Sequence, residues 1–585
     1  MAYLRAADAP RAALSALLAW LLCSMAMLWL FHGDFAALAF RDPDDAMRLA
    51  QIRDWIGGQA FWDVSQHRVN PPVGGPMHWS RIVDMPIAAL ILLLRPMIGL
   101  GSAELVACAV VPLLLLGALT AALFVAARRV AGRGIALLGV ALLLTSPSIL
   151  VQFTPLRIDH HGWQIALATL ALCGALDARP ARGGIVAGLA LALWLQISSE
   201  ALPYAVLFAS AFALRHWMAR EQAPRFIGFA AALGGAALIL LALLRGPQAL
   251  FDGKCDALSF VYLWPLVALA LTTAIAARLI GAATAGHRLG IAAMGGGAAL
   301  ATFLVTGGPC LSGDPFAALG PIAYKLWYLQ VMEGRPIWEQ SLSMQGVILL
   351  PSLLGIYASL IAARAHRGDA RMRWLVLALL LAGSTLVALL VMRALSVAHV
   401  FALPGIAWLV ARLFLKVQAS RAALVRVTGS VGLVLLTPAG LCAAWVAVAA
   451  KPEPAKAASA NCRAASVLAP LKALPPATLF APLDLGPDIL VQTRHSVIGT
   501  AHHRNAAGIT AVIEGFVDAP AQARAVIART SAAYVVTCEG LTEYRLYGQE
   551  NGQGLAALLA KGSPPDWLQP LPAKSPLRIW RIRRD

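Results

Sequence analysis

Phe40-Arg41-Asp42-Pro43-Asp44-Asp45-Ala46-Met47-Arg48 sets three carboxylates within four residues, shortly after an apolar run that ends near Phe31. The position is the mouth of a membrane helix. In a chain that is only 13% charged, acids grouped at a membrane–water boundary point to a divalent cation, a general base or a cationic substrate. The alternative is a solvated helix start in which Asp44 or Asp45 caps a helix running through Met47, Leu49 and Ile52.

Working outward, composition fixes the class. Hydrophobic residues make up 59% of the 585 positions, the mean hydropathy is +0.72, and apolar runs of about 20 residues recur along the chain. A polytopic α-helical membrane protein follows, and a wholly soluble chain is excluded. The net charge of +18 arises mostly from arginines in short loops between apolar runs, as the positive-inside rule explains; no nucleic-acid partner is inferred. The eight cysteines show neither CxxC nor Cys/His metal spacing.

Arg5 and Arg11 precede the apolar run from Ala13 to Phe31, which predicts an anchor helix with an inner N-terminus. A long outer loop (32–102) follows, rich in Trp, His, Pro and Asp, in which Met85–Leu100, interrupted by Arg95-Pro96, is expected to lie in the interface. Further spans are predicted at about 103–127, 134–150, 162–178, 184–199, 202–217, 226–244, 259–279, 289–306, 346–363, 373–391, 399–415 and 427–448, about 13 in all. This registration puts Arg128, Arg129, Arg179, Arg182, Arg371 and Arg373 inside, and Asp159, Glu200, Asp256 and Glu333 outside. The membrane domain is thus 1–449, with a second long outer loop at 307–345.

An odd number of spans leaves 450–585 outside. Lys451-Pro452-Glu453-Pro454 opens a linker, after which β-type runs (Thr478–Leu485, Ala533–Cys538) alternate with helical ones (Ala519–Ala528, Gly554–Leu559), predicting a small extracytoplasmic α/β domain. In an oxidising compartment, Cys462–Cys538 and Cys255–Cys310 are candidate disulfides.

Four outer features belong together: the Asp42 region, Arg157-Ile158-Asp159-His160-His161, the Glu333 loop and Arg393. An Asp followed two residues later by His can place a carboxylate and an imidazole on one Mn²⁺ or Mg²⁺; the alternative is a capping Asp159 with interfacial histidines. Glu333 lies among Tyr324, Trp327, Tyr328 and Trp338, which also suit an interface belt. Arg393 ends an apolar run on the outer side, where a phosphate partner or snorkelling would account for it.

These motifs resemble the catalytic subunits of oligosaccharyltransferases, membrane glycosyltransferases of the GT-C class that use polyprenyl-phosphate-linked sugars. Asp42-Pro43 followed by Arg48 is similar to that family's first-loop acidic motif, and Arg157–His161 to its second. Leu329-Gln330-Val331-Met332-Glu333 occupies the place of its mobile outer-loop motif ending in Glu. The resemblance implies a GT-C-like fold with an outer α/β domain. It also implies a metal (Mn²⁺ or Mg²⁺) at Asp42, Asp159, His161 and Glu333, catalysis by Asp42 and Glu333, and donor phosphate on Arg393 and Arg157. One stretch departs: where the family has Trp-Trp-Asp-Tyr-Gly, this chain has Pro482-Leu483-Asp484-Leu485-Gly486, so recognition of a protein sequon is not implied. Asp45 and His503, the latter within Ala501-His502-His503-Arg504-Asn505, are candidate substrate-binding residues.

The expected function is sugar or oligosaccharide transfer from a polyprenyl-(di)phosphate donor to an unidentified glycan, lipid or protein acceptor on the outer side of a bacterial-type inner membrane. A transporter or flippase of a lipid-linked intermediate is the alternative. It predicts charges near the bilayer midplane and paired broken helices, neither of which the sequence suggests.

Overall fold

The computed structural model describes residues 9–312, 316, 319–450, 462–573 and 576–584. Arg5 and the Lys451-Pro452-Glu453-Pro454 linker lie outside the described residues. Each predicted apolar run is helical. Among the described residues, nine helices are long and apolar enough to cross a membrane, and two bent pairs bring the number to eleven. The two other predicted spans are the 15-residue helix His161–Ala175 and the 18-residue helix Ala201–Met218, which ends on Arg215-His216. The bent pairs correct an expectation of unbroken helices. Arg133–Leu143 turns by 68° into Pro147–Phe153, and Ala423–Leu436 by 80° into Pro438–Ala449. A proline opens the second helix of each pair, where its missing N–H costs nothing and its ring bars continuation of the first. Neither break carries a charged residue.

Asp42, not Asp44 or Asp45, is the N-cap of the Pro43–Ile56 helix: its φ/ψ is −123°/136° and its carboxylate accepts from Asp44 N. Pro43 decides this, because its fixed φ and absent N–H suit the first helical position, leaving the preceding residue extended and free to cap. Asp45 thereby falls on the buried face of the first turn. This helix is fastened to Arg81–Ile98 by a buried network the sequence did not suggest. Asp84 accepts from Arg48 at 2.7 Å, Gln51 at 2.7 Å and Arg81 at 3.2 Å, and the Arg48 guanidinium lies 4.3 Å over the Trp79 ring. Removing one partner of such a group strands a buried charge, at a cost of about 3–5 kcal/mol.

The C-terminal domain is a five-stranded sheet ordered β2-β1-β3-β5-β4, with β1 Thr478–Phe480, β2 Ser496–Val497, β3 Ala532–Cys538, β4 Leu568–Leu571 and β5 Leu577–Ile582. β1 is parallel to β2 and β3, and β5 is antiparallel to β3 and β4. The predicted strand Thr478–Leu485 stops at Phe480, because Pro482 leads into a 3₁₀ turn over Leu483–Leu485. The first outer loop completes this domain. Asn70 N donates to Val497 O at 2.7 Å, Val497 N donates to Arg68 O at 2.9 Å, and the Arg68 guanidinium donates to the carbonyls of Leu490, Thr493 and His495. Met47, Leu49 and Ile52 share one core with Leu485, Ile489 and Val497. Both candidate disulfides, Cys255–Cys310 and Cys462–Cys538, are formed.

Candidate active site

The His161–Ala175 helix begins where the C-terminal domain meets the bundle, and the loop before it carries Arg157, Asp159 and His160. Asp45, delivered by the Asp42–Pro43 cap, fixes that loop: its Oδ1 accepts from Ile158 N at 2.8 Å and Asp159 N at 2.9 Å. Arg157 is then enclosed by acids, with Nη1 at 2.7 Å from Asp42 Oδ2 and 3.1 Å from Asp45 Oδ2, and Nη2 at 3.0 Å from Asp159 Oδ2. His161 N donates to Asp159 Oδ1 at 3.0 Å, and His161 Nε2 lies 3.5 Å from Asp159 Oδ2. Asp159, one residue before the His160 N-cap, therefore accepts from the first helical N–H and also faces an imidazole.

Environment separates the carboxyls. Burial pushes Asp42 up from the ordinary carboxylate range, Asp44 adding to it and Arg157 opposing. Burial likewise holds Asp45 well above that range despite Arg157. For Asp159 burial acts the same way but is outweighed by Arg157, His161 and His160, so this carboxyl stays below the range and ionised. Asp44 ends at about 2, because the neighbouring His502 overcomes its burial; His502 Nε2 lies 3.3 Å from Asp44 Oδ1 without a well-aligned hydrogen bond.

A second ion-pair group adjoins the first. Arg393 pairs with Glu200 and lies 3.2 Å from Glu333 Oε1. Glu200 is within electrostatic reach of His160 and His161, and Arg393 within that of Asp44, so the two groups form one polar site. Of the sequence-predicted residues, Asp42, Asp45, Arg157, Asp159 and His161 converge on one another, and Glu333 meets Arg393 beside them. His503 is instead hydrogen-bonded to Asp256 at 2.7 Å. Sequence reasoning gave no role to Glu200 or His160, and singled out His502 only as part of the Ala501–Asn505 stretch. Glu200 sits in a Ser198-Ser199-Glu200 turn that matches no motif, whereas His502 adjoins a histidine already singled out.

On the domain side, Asp488 is 2% exposed and its Oδ2 has no hydrogen-bond partner; Arg463 Nε is 3.7 Å away. Burial, opposed by Arg463, pushes its carboxyl up to about 7. The Leu483-Asp484 turn is held by Glu543, whose oxygens accept both backbone N–H groups at 2.8 Å.

Asp159 and His161 offer donors for a divalent cation, whereas the other two predicted ligands are engaged elsewhere, Asp42 by Arg157 and Glu333 by Arg393, and the four are not gathered within ligand distance of one another among the described residues. Asp159 Oδ2 is buried and receives no well-aligned hydrogen bond despite the nearby Arg157, and the adjacent donors are a carboxylate and an imidazole, a set suited to Mn²⁺ or Mg²⁺.

No family model matches the sequence, and no curated protein matches it. Solved structures do match in fold. The archaeal oligosaccharyltransferase AglB from Archaeoglobus fulgidus, in complex with an inhibitory peptide and a dolichol-phosphate, aligns with TM-score 0.64 at 13% identity, covering 95% of this chain and 72% of that one. An Archaeoglobus fulgidus oligosaccharyltransferase tethered with an acceptor peptide aligns with TM-score 0.61 at 13% identity, covering 93% and 72%. A complex of an Archaeoglobus fulgidus oligosaccharyltransferase with Zn and sulfate aligns with TM-score 0.56 at 14% identity, covering 92% and 70%. The chain has the GT-C fold, a multi-pass helical bundle with a C-terminal sheet domain, seen in these archaeal oligosaccharyltransferases.

Proposed function

We propose that this protein is a membrane glycosyltransferase that moves a sugar or oligosaccharide from a polyprenyl phosphate or diphosphate to an acceptor, on the membrane face that carries the C-terminal domain. In this reading that face is the outside of a bacterial-type inner membrane, and the arginine-rich loops face the cytoplasm. The observation that carries the proposal is the convergence of Asp42, Asp45 and Asp159 on Arg157 beside the Arg393–Glu333 pair, in a fold shared with oligosaccharyltransferases solved with a dolichol-phosphate or with a tethered acceptor peptide.

The acceptor nucleophile forms a bond to the anomeric carbon while the bond from that carbon to the lipid phosphate oxygen breaks. Asp42 and Glu333 orient the acceptor and take its proton, a role set first by geometry. The phosphate leaves on the lipid with added negative charge, which Arg393 and Arg157 meet through forked hydrogen bonds. Donor phosphate on Arg393 would loosen its 3.2 Å contact with Glu333 and release that carboxylate toward the acceptor. Asp45 positions the loop that carries Arg157 and Asp159. Asp42, Asp159, His161 and Glu333 would hold Mn²⁺ or Mg²⁺, which would withdraw charge from the leaving group when bound.

The test is transfer by the purified protein from lipid-linked saccharides extracted from cells lacking it. Transfer is expected with Mn²⁺ or Mg²⁺, and none with excess chelator or in Asp42→Asn. Full transfer in chelator removes the metal from the account; no consumption of any lipid-linked saccharide removes the transferase.

A further inference from the structure

A second group of ligand-type side chains lies apart from Asp159 and His161. His78 comes from the first outer loop, Asp256 from the loop carrying the Cys255–Cys310 disulfide, and His503 from the C-terminal domain. Each offers one ligand atom, and the three atoms lie within 4.8 Å of one another. His503 Nε2 is 2.7 Å from Asp256 Oδ2, and the His78 and His503 rings are 4.9 Å apart. Among the described residues, no hydrogen bond engages the ring nitrogens of His78. The geometry points to a Zn²⁺ site formed by His78, Asp256 and His503, which staples the first loop and the membrane bundle to the C-terminal domain.

The donor set is the main argument. Two imidazoles and one carboxylate suit Zn²⁺, leaving water as a fourth ligand in a tetrahedron. Bonds of about 2.0–2.1 Å at the tetrahedral angle put Nε2 and Oδ2 about 3.3 Å apart, so an incoming ion opens the present hydrogen bond by roughly 0.6 Å. The outer shell is built as well. Arg504 grips Asp256 with Nε on Oδ2 and Nη2 on Oδ1, both at 2.7 Å, and Arg245 Nη2 donates to the His78 carbonyl at 2.6 Å; such contacts fix ligand orientation. The staple also bears on the candidate active site, because His502, next to His503, approaches Asp44 and packs edge-on against Trp79.

The test is equilibrium dialysis of chelator-stripped, full-length protein in detergent, with Zn²⁺ alone as the probe. An Asp159→Asn/His161→Ala background removes the other candidate site. One Zn²⁺ per chain should remain in that background, and adding His78→Ala or His503→Ala should weaken its binding by at least about tenfold. Unchanged binding after both additions would overturn the proposal, as would no bound Zn²⁺ in the background protein. X-ray absorption at the zinc edge of the background protein needs no further variant: two imidazole scatterers are expected, and an oxygen-only shell contradicts the site.

Discussion

At the Ala175 end of the His161–Ala175 helix, a single carboxylate serves several arginines. Asp177 is 2.7 Å from Arg129 and 2.6 Å from Arg182, and its other oxygen accepts from Arg179 N at 2.9 Å. Arg225 donates to the carbonyls of Gly174 and Asp177, and Arg215 to that of Ala175. At the His161 end the ratio is reversed: three carboxylates share Arg157, while Asp159 Oδ2 and His160 Nδ1 are buried without hydrogen-bond partners. Both ends hold Arg–Asp pairs, so ion pairing alone does not mark a functional site. The Asp177 group answers the open carbonyls of a helix C-terminus and the charge bias of loops on one membrane face. The Asp159 group sets three carboxylates on one guanidinium, with Asp42 and Asp45 pushed above the ordinary range and Asp159 held below it, and carboxyls driven apart in this way mark a candidate functional site.

Substitutions at the two ends should behave differently. The largest expected effect is loss of turnover by about 100-fold or more in Asp159→Asn, with normal abundance and folding; rate and thermal midpoint measured on one preparation check this. Arg393→Lys keeps the charge but loses the fork, and should cost about tenfold in donor use, ~1.4 kcal/mol, with Arg393→Ala worse. Wild-type donor kinetics in Arg393→Ala would contradict the phosphate role. Asp177→Ala should instead lower stability by about 2 kcal/mol, discounted for the exposed Arg182, and leave the turnover of folded protein unchanged; chemical unfolding in detergent reads this.

Sidedness offers a further way to break the comparison. Cysteines placed at Arg129 and Arg371 should be shielded from an impermeant thiol reagent in intact cells, and one at Ala501 should label. Labelling at Arg129 from outside would put the Asp177 end on the wrong face for a charge-bias role. A smaller effect concerns Asp488, pushed up to about 7. A carboxyl whose folded pKa exceeds its unfolded value binds its proton more tightly when folded, so stability falls as pH rises from about 4 to about 7. Asp488→Asn should flatten that decline in unfolding midpoints, and an unchanged pH profile would show the residue to be less buried in solution.

The arginine-rich end was legible as a charge pattern, because loop composition reports it residue by residue. The acidic end was legible where local chemistry concentrates it, at Asp42-Pro43 and at Asp159-His160-His161. What the sequence hid depends on distant pairing. Asp84 joins Arg48 across 36 positions, and Glu200 gains meaning only through Arg393. The edge strand β2 is two residues long and is completed by the Arg68–Asn70 segment, so no periodicity could reveal it. The bends fall just before Pro147 and Pro438, but hydropathy averaged over each run passes across both of them. The cap was misplaced by two or three residues for a local reason, since Pro43 at the first helical position makes Asp42 the only acid there with a capping backbone.

The most direct test of the contrast is the pool of lipid-linked saccharides, measured by mass spectrometry in cells that lack the chain or carry Asp159→Asn or Asp177→Asn at matched protein levels. The account predicts that one polyprenyl-linked saccharide accumulates to the same extent in the null and in Asp159→Asn, but not in Asp177→Asn. A wild-type pool in Asp159→Asn would contradict it.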